Sequence, residues 1–67
     1  MTEPVFKKIE VVGTSTQSFA DAAAQGIAKA GESLSEMSWF EVVEMRGSIV
    51  GGKIHQYQTT IRIGYRA

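Results

Sequence analysis

Four side chains of this 67-residue sequence have types suited to holding a flat, polar-edged molecule: Trp39, Arg46, Gln58 and Arg66. Trp39 is the only tryptophan, and an indole offers a large electron-rich face for stacking a heterocycle, beyond its apolar area. Gln58 carries a donor and an acceptor on one amide, which suits a ring edge bearing both. Arg46 and Arg66 are planar and always charged, so either can pair with a phosphate or stack on a ring. Each has a plainer reading beside this one. Trp39 can fill a contact between subunits, Gln58 can be an exposed strand residue, and the arginines can be surface charges.

Other constellations are weaker. His55, Asp21 and a serine make a nominal triad, but no nucleophile-elbow pattern surrounds them. "VGTST" opens a helix, yet lacks the further glycines and the lysine of a phosphate loop, so capping is the better reading. The Lys7-Lys8 pair is too short for a nucleic-acid patch.

The bulk numbers narrow the classes. Seven acidic residues balance seven basic ones, so no global field draws nucleic acid or anionic membrane. No apolar run approaches the roughly 20 residues of a membrane span. "MTEPVFKKIE" lacks the apolar core of a signal peptide, and a cytoplasmic location is the expectation. Sixty-seven residues make a single domain, residues 1–67, near the lower limit of independent stability. There is no cysteine and only one histidine, so disulfides and a structural zinc site are absent as staples. Self-association is the staple that remains.

Three extended segments and one helix must position these residues. "VFKKIEVVG" alternates with period two and predicts a first strand ended by Gly13. Thr14 or Ser15 is expected to cap the following helix, with Gln17 completing a capping box on Thr14. Phe19, Ala22, Ala23, Gly26, Ile27, Ala30 and Leu34 then fall along one helical stripe, with Gly31 placed to end it. "SWFEVVEMRGSIV" and "KIHQYQTTIRIGYRA" flank Gly51-Gly52, a two-residue hairpin signal. A tight turn there pairs Val50 with Lys53, Met45 with Gln58, Val43 with Thr60, Glu41 with Arg62 and Trp39 with Gly64. Phe40 and Val42 then face Ile63 and Ile61 on the opposite side of the sheet. The predicted fold is α+β: β-α-β-β, a three-stranded antiparallel sheet of order 1-3-2, one helix on one face.

That register leaves a second sheet face, half apolar and half hydrogen-bonding, bearing Trp39, Val43, Met45, Gln56, Gln58, Thr60, Arg62 and Arg66. A monomer would expose it together with two edge strands. Trp39 and Gln58 are six residues apart in this register, roughly 20 Å at about 3.3 Å per residue. If both touch one small ligand, they come from different chains. Arg46 falls on the helix side and Arg66 beside Trp39.

"KKIEVVGTS", "WFEVVEMRG" and "YQTTIRIGYR", in that order, resemble the dodecins, small flavin-binding proteins. The resemblance spans nearly the whole chain, and the arginine in "EMRG" is similar to the bacterial branch. It implies the same β-α-β-β fold and a hollow homo-dodecamer of cubic symmetry. It also implies flavin pairs at two-fold positions, their rings stacked on each other and on a tryptophan from each side. Trp39 matches that tryptophan and Gln58 the glutamine at the ring's polar edge. Arg46 and Arg66 match arginines near the flavin, which favours flavin mononucleotide (FMN) or riboflavin as the ligand. The implied role is storage of flavin and quenching of its photochemistry. Coenzyme A at a separate inter-subunit site is implied too, without residues that can be matched here.

Two other classes stand beside flavin storage. One is a self-assembling structural module with no flavin role. The other, least expected, is a flavin-dependent redox enzyme; stacking on both ring faces would leave its substrate no room.

Overall fold

In the computed structural model, residues 3–67 are described. The elements are β1 (Phe6–Ser15), α1 (Phe19–Ala30), β2 (Met37–Val50) and β3 (Lys53–Arg66). They form a three-stranded sheet of order β1-β3-β2, with both neighbouring pairs antiparallel. This is the predicted topology. The strand–helix–strand crossover makes β1 and β2 run the same way, and the hairpin return inserts β3 between them.

Strand β1 continues past Gly13 to Ser15, with Thr14 opposite Gln58 and Ser15 opposite Tyr57. Neither Thr14 nor Ser15 therefore caps the helix. The N-cap is Ser18, whose Oγ accepts from the Asp21 backbone N–H at 2.9 Å. Ser15 instead donates its hydroxyl to Asp21 Oδ2 at 2.6 Å and accepts from the Gln17 N–H at 2.8 Å, fixing the turn between strand and cap. Gly31 ends the helix as predicted, its N–H returning to the Ile27 carbonyl at 2.9 Å.

The buried stripe of α1 is Ala22, Ala23, Gly26 and Ala30. These small residues let the helix lie close on β1 and β3, over Ile61 and Ile63, with Ile9, Val11, Ile27 and Leu34 around them. Thr59, fully buried, donates its hydroxyl to the Phe19 carbonyl at 2.9 Å and ties the start of α1 to the sheet. The approach is closest at Gly13, where a Cβ would collide with the Ala22 carbonyl oxygen. Forcing side chains into such a packed contact costs about 1–3 kcal/mol. Gly13→Ala is expected to lower the urea midpoint accordingly, and an unchanged midpoint would show that the helix rides higher than described.

The helix does not cover the outer strand. Phe40, Val42 and Met45 of β2, on the helix side, are 49, 49 and 60% exposed. With Phe19, Ala20 and Ala23 they line a groove of about 430 Å³. The turn at Gly51-Gly52 has φ of 60° and 74°, the pair of positive values that suits glycine in a primed hairpin turn. It carries an apolar tip in which Ile49, Val50 and Ile54 are all exposed.

The hairpin departs from simple pairing at three irregularities. Near the turn Val50 faces Lys53, as predicted, and Ile49 faces Ile54; then Ser48 faces Gln56, leaving His55 as an extra residue in β3. Val43 is an extra residue in β2 and restores the predicted register, so that Val42 faces Ile61, Glu41 faces Arg62, Phe40 faces Ile63 and Trp39 faces Gly64. Between these two bulges the pairing is displaced by one residue. Glu44 rather than Val43 opposes Thr60, and Arg46 rather than Met45 opposes Gln58. Because side chains alternate faces, a one-residue slip exchanges them. Met45 moves to the helix side, and Arg46, expected there, joins Gln58 on the open face.

Candidate functional site

The open face reads in rows across the three strands. Phe6 lies opposite Arg66; Lys8, Gly64 and Trp39 form the next row, followed by Glu10, Arg62 and Glu41. Val12, Thr60 and Glu44 come next, and Thr14, Gln58 and Arg46 last. The four residues singled out in the sequence thus share one face but form two groups. Trp39 and Arg66 lie at one end, Arg46 and Gln58 at the other. Gly64 and Gln58 are six residues apart on β3, so the groups are separated by roughly 20 Å within the chain.

At the first end the indole is laid across the central strand. A Cβ at Gly64 would collide with indole carbons Cε2 and Cζ2 of Trp39, so only glycine leaves room for the ring to lie there. The indole reaches β1, where the Phe6 ring meets it edge-on, centroids 5.1 Å apart and planes at 63°. Trp39 remains 43% exposed. One face of a fixed aromatic plane is therefore turned away from the sheet.

The middle of the face is a lattice of charges. Lys8 Nζ donates to Glu41 Oε1 at 2.9 Å, and Arg62 Nε donates to Glu10 Oε1 at 3.0 Å. Arg62, opposite Glu41 in register, thus bonds to the carboxylate on the other side. The hydrogen bond from Lys8, its charge and that of Arg62 hold Glu41 below the ordinary carboxylate range. A depressed folded-state value contributes stability above the usual glutamate pKa that is lost as pH falls below it. The contribution is small, because both partners are half exposed.

At the other end, Gln58 Nε2 donates to Gln56 Oε1 at 2.9 Å. Arg46 sits 3.7 Å from Glu44 as a loose ion pair. Glu44, Arg46, Gln58, Thr60, Val12 and Glu10 line a hollow of about 390 Å³ with Val43 at its wall. This end offers charge and amide groups, and the Trp39 end offers a plane. The arrangement can grip a flat ring with a polar edge only if the two ends come from two molecules.

Sequence reasoning missed Phe6 against Trp39 and Arg46 beside Gln58. The first follows from the β1–β3 register, which puts Phe6 one row from Trp39 on the same face. The second depends on the His55 and Val43 bulges, which no local motif announces. No three His, Asp or Glu side chains come together as a metal cage among the described residues. Nor, among them, is any helix long and apolar enough to cross a membrane.

Fold and face together define a small α+β protein with an exposed, aromatic-bearing sheet surface. The chain belongs to the dodecin family, whose sequence model matches residues 5–67. It is 39% identical over 62 residues to a dodecin of Thermus thermophilus, covering 92% of this chain and 90% of that protein. The structure of the dodecin from Streptomyces coelicolor superposes with a TM-score of 0.95 at 31% identity, covering 100% of this chain and 96% of the other. A calcium dodecin of Mycobacterium tuberculosis, with a calcium-binding site of its own, is similar at 28% identity, with a TM-score of 0.82 over 94% of this chain and 90% of that one. The dodecin structures imply an oligomeric assembly.

Proposed function

We propose that this chain assembles into a flavin-storing homo-oligomer, a hollow dodecamer, in which open faces meet in pairs around two-fold axes. Each Trp39 stacks on one flavin ring, two flavins stack on each other between two tryptophans, and Gln58 of the facing chain meets the polar ring edge. The observation that carries this reading is the division of the open face. A stacking plane and an amide–guanidinium end, roughly 20 Å apart, become complementary when a two-fold axis sets one against the other. Membership of a family of small flavin-binding proteins supports it.

The role is binding rather than catalysis, because stacking occupies the ring faces a substrate would need. An indole is oxidisable, so a photoexcited flavin held against Trp39 is quenched by electron transfer. Coenzyme A, bound at a separate site, and a cytoplasmic location complete the proposal; no residue here is assigned to coenzyme A.

The arginines set the expected ligand form. Arg46 lies on the open face beside Gln58, and Arg66 lies in the row next to Trp39. Guanidinium–phosphate hydrogen bonds are charge-assisted, so FMN is expected to bind at least as tightly as riboflavin at low salt. Both members of the Arg46–Glu44 pair are more than half exposed, and charges in solvent are screened over about 8 Å at physiological ionic strength. Added salt should therefore erode the margin. Titrating both flavins at two salt concentrations, with Arg46→Ala and Arg66→Ala in parallel, tests this. Riboflavin binding much more tightly than FMN at low salt would remove the phosphate from the reading.

A further inference from the structure

Phe6 is 41% exposed on the open face and contributes little to the core beneath the helix. Its ring nevertheless meets Trp39 in a defined edge-on geometry, 5.1 Å between centroids and 63° between planes. The two residues sit on opposite edge strands, so the contact is made across β3, above Gly64. Gly64 supplies only a floor. Nothing in a bare glycine stops an indole from turning about its own side-chain torsions. A lateral wall is needed to fix the plane, and Phe6 stands where that wall must be.

We propose that Phe6 is a positioning residue for Trp39: its ring braces the indole from β1 and holds it flat across Gly64 with the outer face presented for stacking. Phe6 acts through Trp39 and does not itself carry the ligand. The gain is pre-organisation, since a plane already fixed loses less conformational freedom when a ring stacks on it. The proposal deepens the stacking reading given above and rests on it where ligand affinity is concerned. The fixing of the indole stands apart from that reading.

Because Trp39 is the only tryptophan, the indole band in the near-ultraviolet circular dichroism spectrum reports it alone. The test compares the assembled wild type with Phe6→Ile, which keeps a good strand former without the ring, and Phe6→Tyr, which keeps the ring. Phe6→Ile is expected to lose most of the ligand-free indole band and to weaken riboflavin binding about two- to tenfold, the range for one aromatic pair. Phe6→Tyr should restore both. An unchanged band in Phe6→Ile overturns the proposal, whether or not affinity falls, since a fall alone would make Phe6 a ligand contact. If the wild type binds no riboflavin, the stacking reading fails and the band still decides the role of Phe6. If Phe6→Ile does not assemble, a nuclear Overhauser effect between the Phe6 and Trp39 ring protons of the wild type decides it: seen, it supports the brace; missing, it overturns it.

Discussion

Replacing Trp39 by alanine is expected to abolish most flavin binding while leaving the assembly intact. Loss of one aromatic stack costs on the order of 1–3 kcal/mol, by analogy with bases stacked on aromatic side chains. That is roughly a five- to 150-fold rise in Kd. The assembly should survive because Trp39 lies away from the core of Ala23, Ala30, Ile61 and Ile63 and on the opposite sheet face from the exposed apolar Phe40, Val42 and Met45. Trp39→Phe, which keeps a smaller plane, should fall between the two. The measurement is a fluorescence titration on protein whose assembled mass has first been checked by sedimentation. Undiminished quenching in an assembled Trp39→Ala protein would make the tryptophan a plain packing residue.

The second large effect concerns the strand that the helix leaves bare. Phe40, Val42 and Met45 present contiguous apolar surface beside α1, and full burial of each such side chain is worth about 1.5–3 kcal/mol. A chain of 67 residues without disulfides has little reserve to leave that surface in water. Its own helix is already committed to β1 and β3, so another copy is the natural cover. Val42→Glu would put an unpaired carboxylate into that contact, a cost of several kcal/mol when it is desolvated. The expected result is loss of the assembly together with loss of cooperative folding at micromolar concentration. A folded, assembled Val42→Glu protein would place the subunit contacts elsewhere. A folded wild-type monomer at micromolar concentration would remove the need for them.

The topology was readable because each level of the sequence agreed. Period two in "VFKKIEVVG", an alanine–glycine stripe over residues 22–30 and the Gly51-Gly52 turn admit few arrangements besides the observed one. The pairing of Trp39 with Gly64 was readable for the same reason, since it lies where the register returns to its simple value. The face of Arg46 was not. It is set by two extra residues, His55 and Val43, whose effects cancel at Trp39 and are felt only between them. A bulge costs little locally and leaves no compositional mark, so a local reading passes over it. The helix cap escaped for a different reason. "TSTQS" offers several hydroxyls, and the choice of Ser18 depends on β1 running on to Ser15 against Tyr57, a tertiary preference. The brace on Trp39 needed the order of all three strands and the absence of a side chain at Gly64.

In the proposed assembly, Trp39 of one chain and Gln58 of another hold flavin between them, one flavin per chain. A stoichiometric titration of dilute FMN with the assembled wild-type protein, following flavin and tryptophan emission together, tests this arrangement. Flavin emission should fall to a sharp end point at one flavin per chain, and the emission of the added tryptophan should stay quenched up to that point and rise only beyond it, because each ring stacks on its own Trp39. Flavin that stays fully fluorescent beside excess assembled protein, or quenching that leaves tryptophan emission untouched, would contradict it.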